Sequence, residues 1–204
     1  MTFSKIVSVL IPLAGLALVA LPACSSDSPS TPRVSLASYL GAGTQAGIND
    51  NTACPFSSQS TWVLIGDPST TTSVFNGDTD SSTGQTVSVT CTVSADGDGF
   101  AVKASAKLGA QGAVTVTGHF LANTPAVTAD TPINNISVDF SRGDSGTYAE
   151  SLCTATYTSN PQYMGVAAGR VWADVECPLL RNSSQNKTCD GHATFKFENC
   201  QSTP

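Results

Sequence analysis

From Val87 to Phe120 the chain alternates between apolar and polar residues. Val87, Val89, Cys91 and Val93 take turns with Ser88, Thr90 and Thr92. Phe100, Val102, Ala104, Ala106 and Leu108 then enclose Lys103, Ser105 and Lys107, and Val114, Val116, Gly118 and Phe120 enclose Thr115, Thr117 and His119. Successive side chains of a strand point to opposite faces, so this pattern sets one apolar face on a core and one polar face in water. A helix cannot satisfy it, because helical neighbours on one face lie three or four residues apart. The runs are separated by Asp96-Gly97-Asp98-Gly99 and Gly109-Ala110-Gln111-Gly112, residue types suited to tight turns. Three strands joined by two short turns form an antiparallel meander, and the rest of the chain has to complete a core around it.

Further strands are expected at Ile136–Phe140, Cys153–Thr158, Gly165–Cys177 and His192–Glu198, with period two also starting near Trp62. In the last of these, Ala193, Phe195 and Phe197 face inward while Thr194, Lys196 and Glu198 face out. Residues 121–134 and 178–191 read as long loops. Residues 34–50 are ambiguous, with room for a short helix near Leu36–Leu40. The expected fold is all-β, an antiparallel β-sandwich or curled meander of about eight strands in a single domain. Composition agrees, since only 12% of residues are charged, and Thr and Val favour strands.

The N-terminus reads differently. Lys5 precedes an apolar run from Ile6 to Leu21, interrupted by Pro12 and Gly15. That is the pattern of a secretory signal, and the run is shorter than the roughly 20 residues of a membrane span. The run ends in Leu21-Pro22-Ala23-Cys24. This resembles the lipobox of bacterial lipoproteins, with Pro22 a departure from the usual small residue. The resemblance implies cleavage before Cys24, diacylglycerol on its sulfur, and anchorage in the cell envelope. Ser25 implies sorting to the outer membrane if the host has two membranes. On this reading 1–23 is a signal peptide, 24–33 a lipidated cysteine with a Ser/Pro-rich tether, and 34–204 one β-rich domain.

Cysteine parity fits the same reading. There are seven cysteines: Cys24, Cys54, Cys91, Cys153, Cys177, Cys189 and Cys200. Lipid on Cys24 leaves an even number, enough for three disulfides whose pairing the sequence leaves open. An exported chain meets an oxidising compartment that would form them.

Charge limits the partners. The formal net charge is −6, and cleavage removes Lys5 but no acid, which makes it −7. An acidic surface does not suit nucleic acid or electrostatic docking on anionic lipid. The membrane is reached through lipid alone, and the ligand or protein partner is unknown.

Several short motifs invite chemistry without completing it. Gly143-Asp144-Ser145-Gly146 matches the nucleophile motif of chymotrypsin-like proteases, but Thr147-Tyr148 follows where that family has Gly-Pro. His119 lies 26 positions upstream, whereas that family carries its base in an earlier barrel. A turn between strands explains the motif. Arg142-Gly143-Asp144 spells an adhesion tripeptide too short to carry an argument. Cys189-x-x-His192, with Cys177 and Cys200, offers a Cys₃His donor set for zinc, against which the even cysteine count favours disulfides. Asn76, Asp78 and Asp80 start like a calcium loop, but Ser81 and Val87 stand where Gly and an acid are needed, so a solvated acidic turn is expected. Asp174 and Glu176 share a strand face about 6–7 Å apart, a spacing that could serve glycoside cleavage or simply face water.

Parity also singles out Trp172. Val171, Ala173, Val175 and Cys177 read as core, and Arg170, Trp172, Asp174 and Glu176 as the outward face. Trp172 is therefore expected to be exposed and is the candidate ligand-contact residue. A loop 178–191 folded over it, or a bulge at Gly169 reversing the register, would bury it instead. The sequence assigns no catalytic residue, metal or cofactor. The expected function is a lipid-anchored, non-catalytic envelope protein with a binding or structural role. A carbohydrate-binding surface module is the alternative, and a secreted hydrolase comes third.

Overall fold

The computed structural model describes residues 30–43, 53–56, 60–70, 72–124, 127–157 and 164–202. Within them lie eleven strands and no helix: β1 (Arg33–Gly41), β2 (Ser60–Ile65), β3 (Val74–Phe75), β4 (Val87–Asp96), β5 (Gly99–Leu108), β6 (Gly112–Leu121), β7 (Ile133–Arg142), β8 (Gly146–Thr156), β9 (Gly165–Ala167), β10 (Arg170–Asn182) and β11 (Lys187–Glu198). All pair antiparallel in one curled sheet of order β2-β1-β11-β10-β8-β7-β6-β5-β4, with β3 beside β1 and β9 beside β10.

The expected meander is present. Val87 pairs with Leu108 and Asp96 with Gly99, then Gly99 with Leu121 and Leu108 with Gly112. Gly97 sits at φ 59° in the first turn and Gly109 at φ 48° in the second, a backbone region open to glycine at little cost. The inward residues of all three strands are buried except Phe100 and Gly118, which are half-buried, and Val93, Ala106, Leu108, Val114, Val116 and Phe120 are at 0% exposure. Phe140, Phe195 and Phe197 join them from β7 and β11. Each such side chain contributes about 1.5–3 kcal/mol by leaving water.

A lone curled sheet would leave the outer edge of β4 open to other chains. Here the edge is paired. Gly77 N donates to Val87 O at 2.8 Å, and Val87 N to Asp78 O at 2.8 Å. Further along, Val93 N donates to Gln201 O, Gln201 N to Cys91 O, and Gly169 N to Val93 O. The chain entering β4 and the chain leaving β11 thus draw the curl together around one core.

The cysteines form three disulfides, Cys54–Cys189, Cys91–Cys200 and Cys153–Cys177. The second clips β4 to the C-terminal segment that covers its edge. The third joins directly opposed residues of β8 and β10, as the pairing of Glu176 with Thr154 requires.

Four expectations change. Residues 36–40 are not helical but lie in β1, where Val34, Leu36 and Leu40 are buried at 0% and both edges are paired. Pairing along the whole strand overrides a local helical tendency. Residues 178–191 are not a long loop. β10 continues to Asn182 through a register shift between Cys177 and Leu180, and β11 starts at Lys187. Pro178 and Leu179 fall in that shift, so the strand passes a residue with no N–H to donate. Gly169, at φ 76°, makes no bulge but a tight turn that splits Gly165–Cys177 into β9 and β10. The strand count rises from about eight to eleven because β1 is a strand and the very short β3 and β9 add two more.

Candidate functional site

The pairing registers of β1, β11, β10 and β8 set side chains from four distant segments in rows across the outer face. Tyr39 pairs with His192, His192 with Glu176, and Glu176 with Thr154. The next row is Ala37, Thr194, Asp174 and Thr156, and the one after it Ser35, Lys196 and Trp172, with Gly165 beyond. Alternation fixes which residues face outward on each strand; the registers decide which of them meet.

The first row lines a hollow of about 900 Å³, together with Leu40–Ala42, Asp190, Gly191, Cys177 and Pro178. Tyr39 and His192 stack there with ring centroids 6.4 Å apart and planes 21° apart. Glu176 is exposed, and among the described residues the ion pairs use Glu198, Asp96 or Asp98 instead. The described lining contains carboxylates, a phenol, an imidazole and a hydroxyl, and neither Lys nor Arg.

The second and third rows are structural. Asp174 is only 9% exposed and accepts a hydrogen bond from Thr194 Oγ1 at 2.5 Å. It does share a face with Glu176, as parity requires, but Thr194 engages it, while Glu176 faces the hollow. Trp172 also keeps its expected parity, with Val171 and Ala173 at 0% on the core side. Its exposure does not follow: Trp172 is 8% exposed. Lys196 sets its ammonium 5.2 Å from the indole centroid, while the side-chain space of Gly165, the cross-strand neighbour of Trp172, is taken by Asn123. What lies over the indole is not one of the charges beside it in sequence but Lys196 of the neighbouring strand, since a lysine stem covers apolar surface while its head stays wet.

The other candidates resolve into structure. Residues 143–145 form the turn between β7 and β8, where Ser145 Oγ donates to Asp144 Oδ1 at 2.8 Å. His119 lies at the far end of β6, since Ala113 is the residue that pairs with Ser141. At least about 20 Å separates it from Ser145. Its ring faces Asp98 at 2.9 Å and Asp96 at 3.4 Å, pinning the β4–β5 turn. Arg142 of the adhesion-like tripeptide is engaged: its guanidinium lies 4.1 Å over the Trp62 ring and donates to Gln111 O and to Trp62 O. It thereby ties a carbonyl of β2 to one of the β5–β6 turn.

The zinc donor set does not form, because Cys177, Cys189 and Cys200 sit in three different disulfides. Glu150, Cys153 and Cys177 do converge within 4.8 Å. The two sulfurs are bonded to each other, however, and Glu150 Oε2 accepts from Leu179 N. The calcium-like loop is solvated at Asn76 and Asp78, as expected, but not at Asp80. Asp80 is 1% exposed, and its carboxylate accepts from Gly66 N, Ser82 N and Oγ, and Thr83 N and Oγ1. Burial alone would raise its pKa, but these donors outweigh it and hold the carboxyl below the usual range. Asn76 Oδ1 accepts from Val89 N, so both side chains serve the β3–β4 connection. Burial raises the phenols of Tyr148 and Tyr157, neither of which lines the hollow.

Cys24 and its flanking motif lie outside the described residues. No family model, curated protein or solved structure matches the chain.

Sequence reasoning named Glu176 and His192 separately, as half of a carboxylate pair and as part of a zinc donor set. It missed Tyr39, because residues 34–50 were not legible as strand. Reading Val34, Leu36 and Leu40 at period two would have marked Tyr39 as outward. Nothing local could have paired it with His192.

Proposed function

We propose that this chain is a lipid-anchored, non-catalytic protein of the cell envelope whose β domain holds a ligand in the Tyr39–Glu176 hollow. Cysteine parity carries the reading. Six of the seven cysteines are used in disulfides, so Cys24 has no cysteine partner left within the chain. It is also the residue that follows Leu21-Pro22-Ala23, where lipid modification requires a thiol.

The path of β1 supports the placement of the hollow. The strand starts at Arg33, a few residues after Cys24, and runs away from that end to Gly41. At about 3.3 Å per residue, Tyr39–Ala42 lie roughly 20–30 Å further from the tether than Arg33 does. On this reading the hollow stands at the end of β1 remote from the tether. The outer membrane is the proposed address in a host with two membranes.

Metabolic labelling with a fatty-acid analogue tests the anchor. Wild type should take up label and Cys24→Ser should not. Equal labelling of the two would overturn the reading.

A further inference from the structure

The lining of the hollow points to the class of its ligand. Cross-strand register sets Tyr39, His192, Glu176 and Thr154 in one row, so their positions are fixed by four paired strands and not by a loop. Tyr39 and His192 present stacked ring faces. Glu176 makes no ion pair among the described residues, and the described lining supplies no Lys or Arg to neutralise it. A carboxylate two strands from a phenol ring, with an imidazole between them in the same wall, favours a positive guest. The ring quadrupole and the anion act with the same sign, and the walls exclude part of the screening water. Both tryptophans of the chain are buried, Trp62 at 2% and Trp172 at 8%, so the stacking surface that a sugar-binding platform would use is reduced to Tyr39 and His192.

We propose that the hollow binds an alkylammonium group, seated between the Tyr39 ring and Glu176, with Glu176 as its counter-ion. The group can come from a free amine or from a lysyl side chain. This rests on the reading of the hollow as the binding site and adds the chemistry of what it takes.

The test uses the full chain, purified in a neutral detergent, with NMR signals of the Tyr39 and His192 rings as the readout. Butylammonium and the peptide Gly-Lys-Gly are titrated beside cellobiose and acetate. Saturable shifts with butylammonium, with Gly-Lys-Gly or with both support the proposal, and the stronger of the two identifies the source. Glu176→Gln and Tyr39→Leu should each weaken that binding about tenfold, and added salt should weaken it in wild type. Leu152→Ser, at a residue 68% exposed and outside the hollow, should leave it unchanged. Amine shifts that survive Glu176→Gln at full strength would overturn the proposal. Shifts with cellobiose or acetate alone would overturn it too, while leaving the hollow as a binding site. Silence of both rings with every probe would remove the hollow from the proposed function as well, and labelling of Cys24 would stand unaffected.

Discussion

Two parts of the sheet are built from the same kind of strand in opposite ways. In β4, β5 and β6, neighbours in the sheet are neighbours in the chain, and each pair is closed by a turn of two or three residues. In β1, β11 and β10, the first long strand lies beside the last one. The meander leaves its outer face to water, with Ser88, Thr90, Lys103 and Lys107 exposed. The other part covers much of its outer face: Ser35 is at 0%, Ala37 at 8%, Trp172 at 8% and Asp174 at 9%. A hairpin closes a short loop at small entropic cost, whereas β1 and β11 must find each other across the whole domain. Devices that fix distant segments accordingly hold the closure together: disulfides on β10, β11 and the edge of β4, the buried carboxylate of Asp80 ahead of β4, and Arg142 reaching from β7 to β2.

Removing those devices should show how much the non-local part depends on them. The largest effect is expected from the Cys54–Cys189 disulfide, which spans 135 residues against 24 for Cys153–Cys177. Replacing both cysteines by Ser should cost about 5 kcal/mol for the first and about 3.5 kcal/mol for the second on loop entropy. Denaturant unfolding reads the difference, and equal losses would mean that loop length is not what these bonds contribute.

Asp80→Ala comes next, at about 3 kcal/mol, because buried donors from Gly66, Ser82 and Thr83 lose a charged acceptor. Its pKa is lowered on folding. The stabilisation is therefore complete above the unfolded value of about 4 and fades as pH falls through the lower folded value. Wild type and Asp80→Ala should converge in urea midpoint on acidification. A gap that persists well below pH 3 would rule out the carboxylate as its source.

Arg142→Lys should cost about 2 kcal/mol, since an ammonium cannot cover the Trp62 ring and also reach Gln111 O and Trp62 O. A thermal melt reads this, and a melt identical to wild type would show that the tie to β2 is dispensable.

The smallest effect belongs to the meander. Ser105 Oγ and Thr115 Oγ1 lie 3.0 Å apart on its wet face, and Ser105→Ala should cost about 0.5 kcal/mol. A loss above about 2 kcal/mol would mean that this face is less independent of the closure than its local pairing implies.

The meander was legible because period two, turn residues and chain order all agree there. β1 was not, because Ser35, Ala37 and Ser38 are small and the outward side of β1 is itself buried at Ser35 and Ala37. The contrast that marks a strand is weak where both faces leave water. The 178–191 segment failed for a related reason: Pro178 reads as a break, while the strand absorbs it at a shift in register. Trp172 shows the limit of parity, which gives the direction of a side chain and not what lies over it.

By itself the sequence determined the fold class, the three disulfides as a number, the inward face of most strands and the positions of the meander turns. These depend on residue type and on spacing along the chain, and both are local. Only the tertiary structure decided which cysteines pair, how the edge of β4 is closed, and that Tyr39, His192, Glu176 and Thr154 stand in one row. Those are matters of register between strands far apart in sequence. A shift of one residue would send every side chain of a strand to the opposite face, and it is the collective burial of the whole core that selects one register over the others.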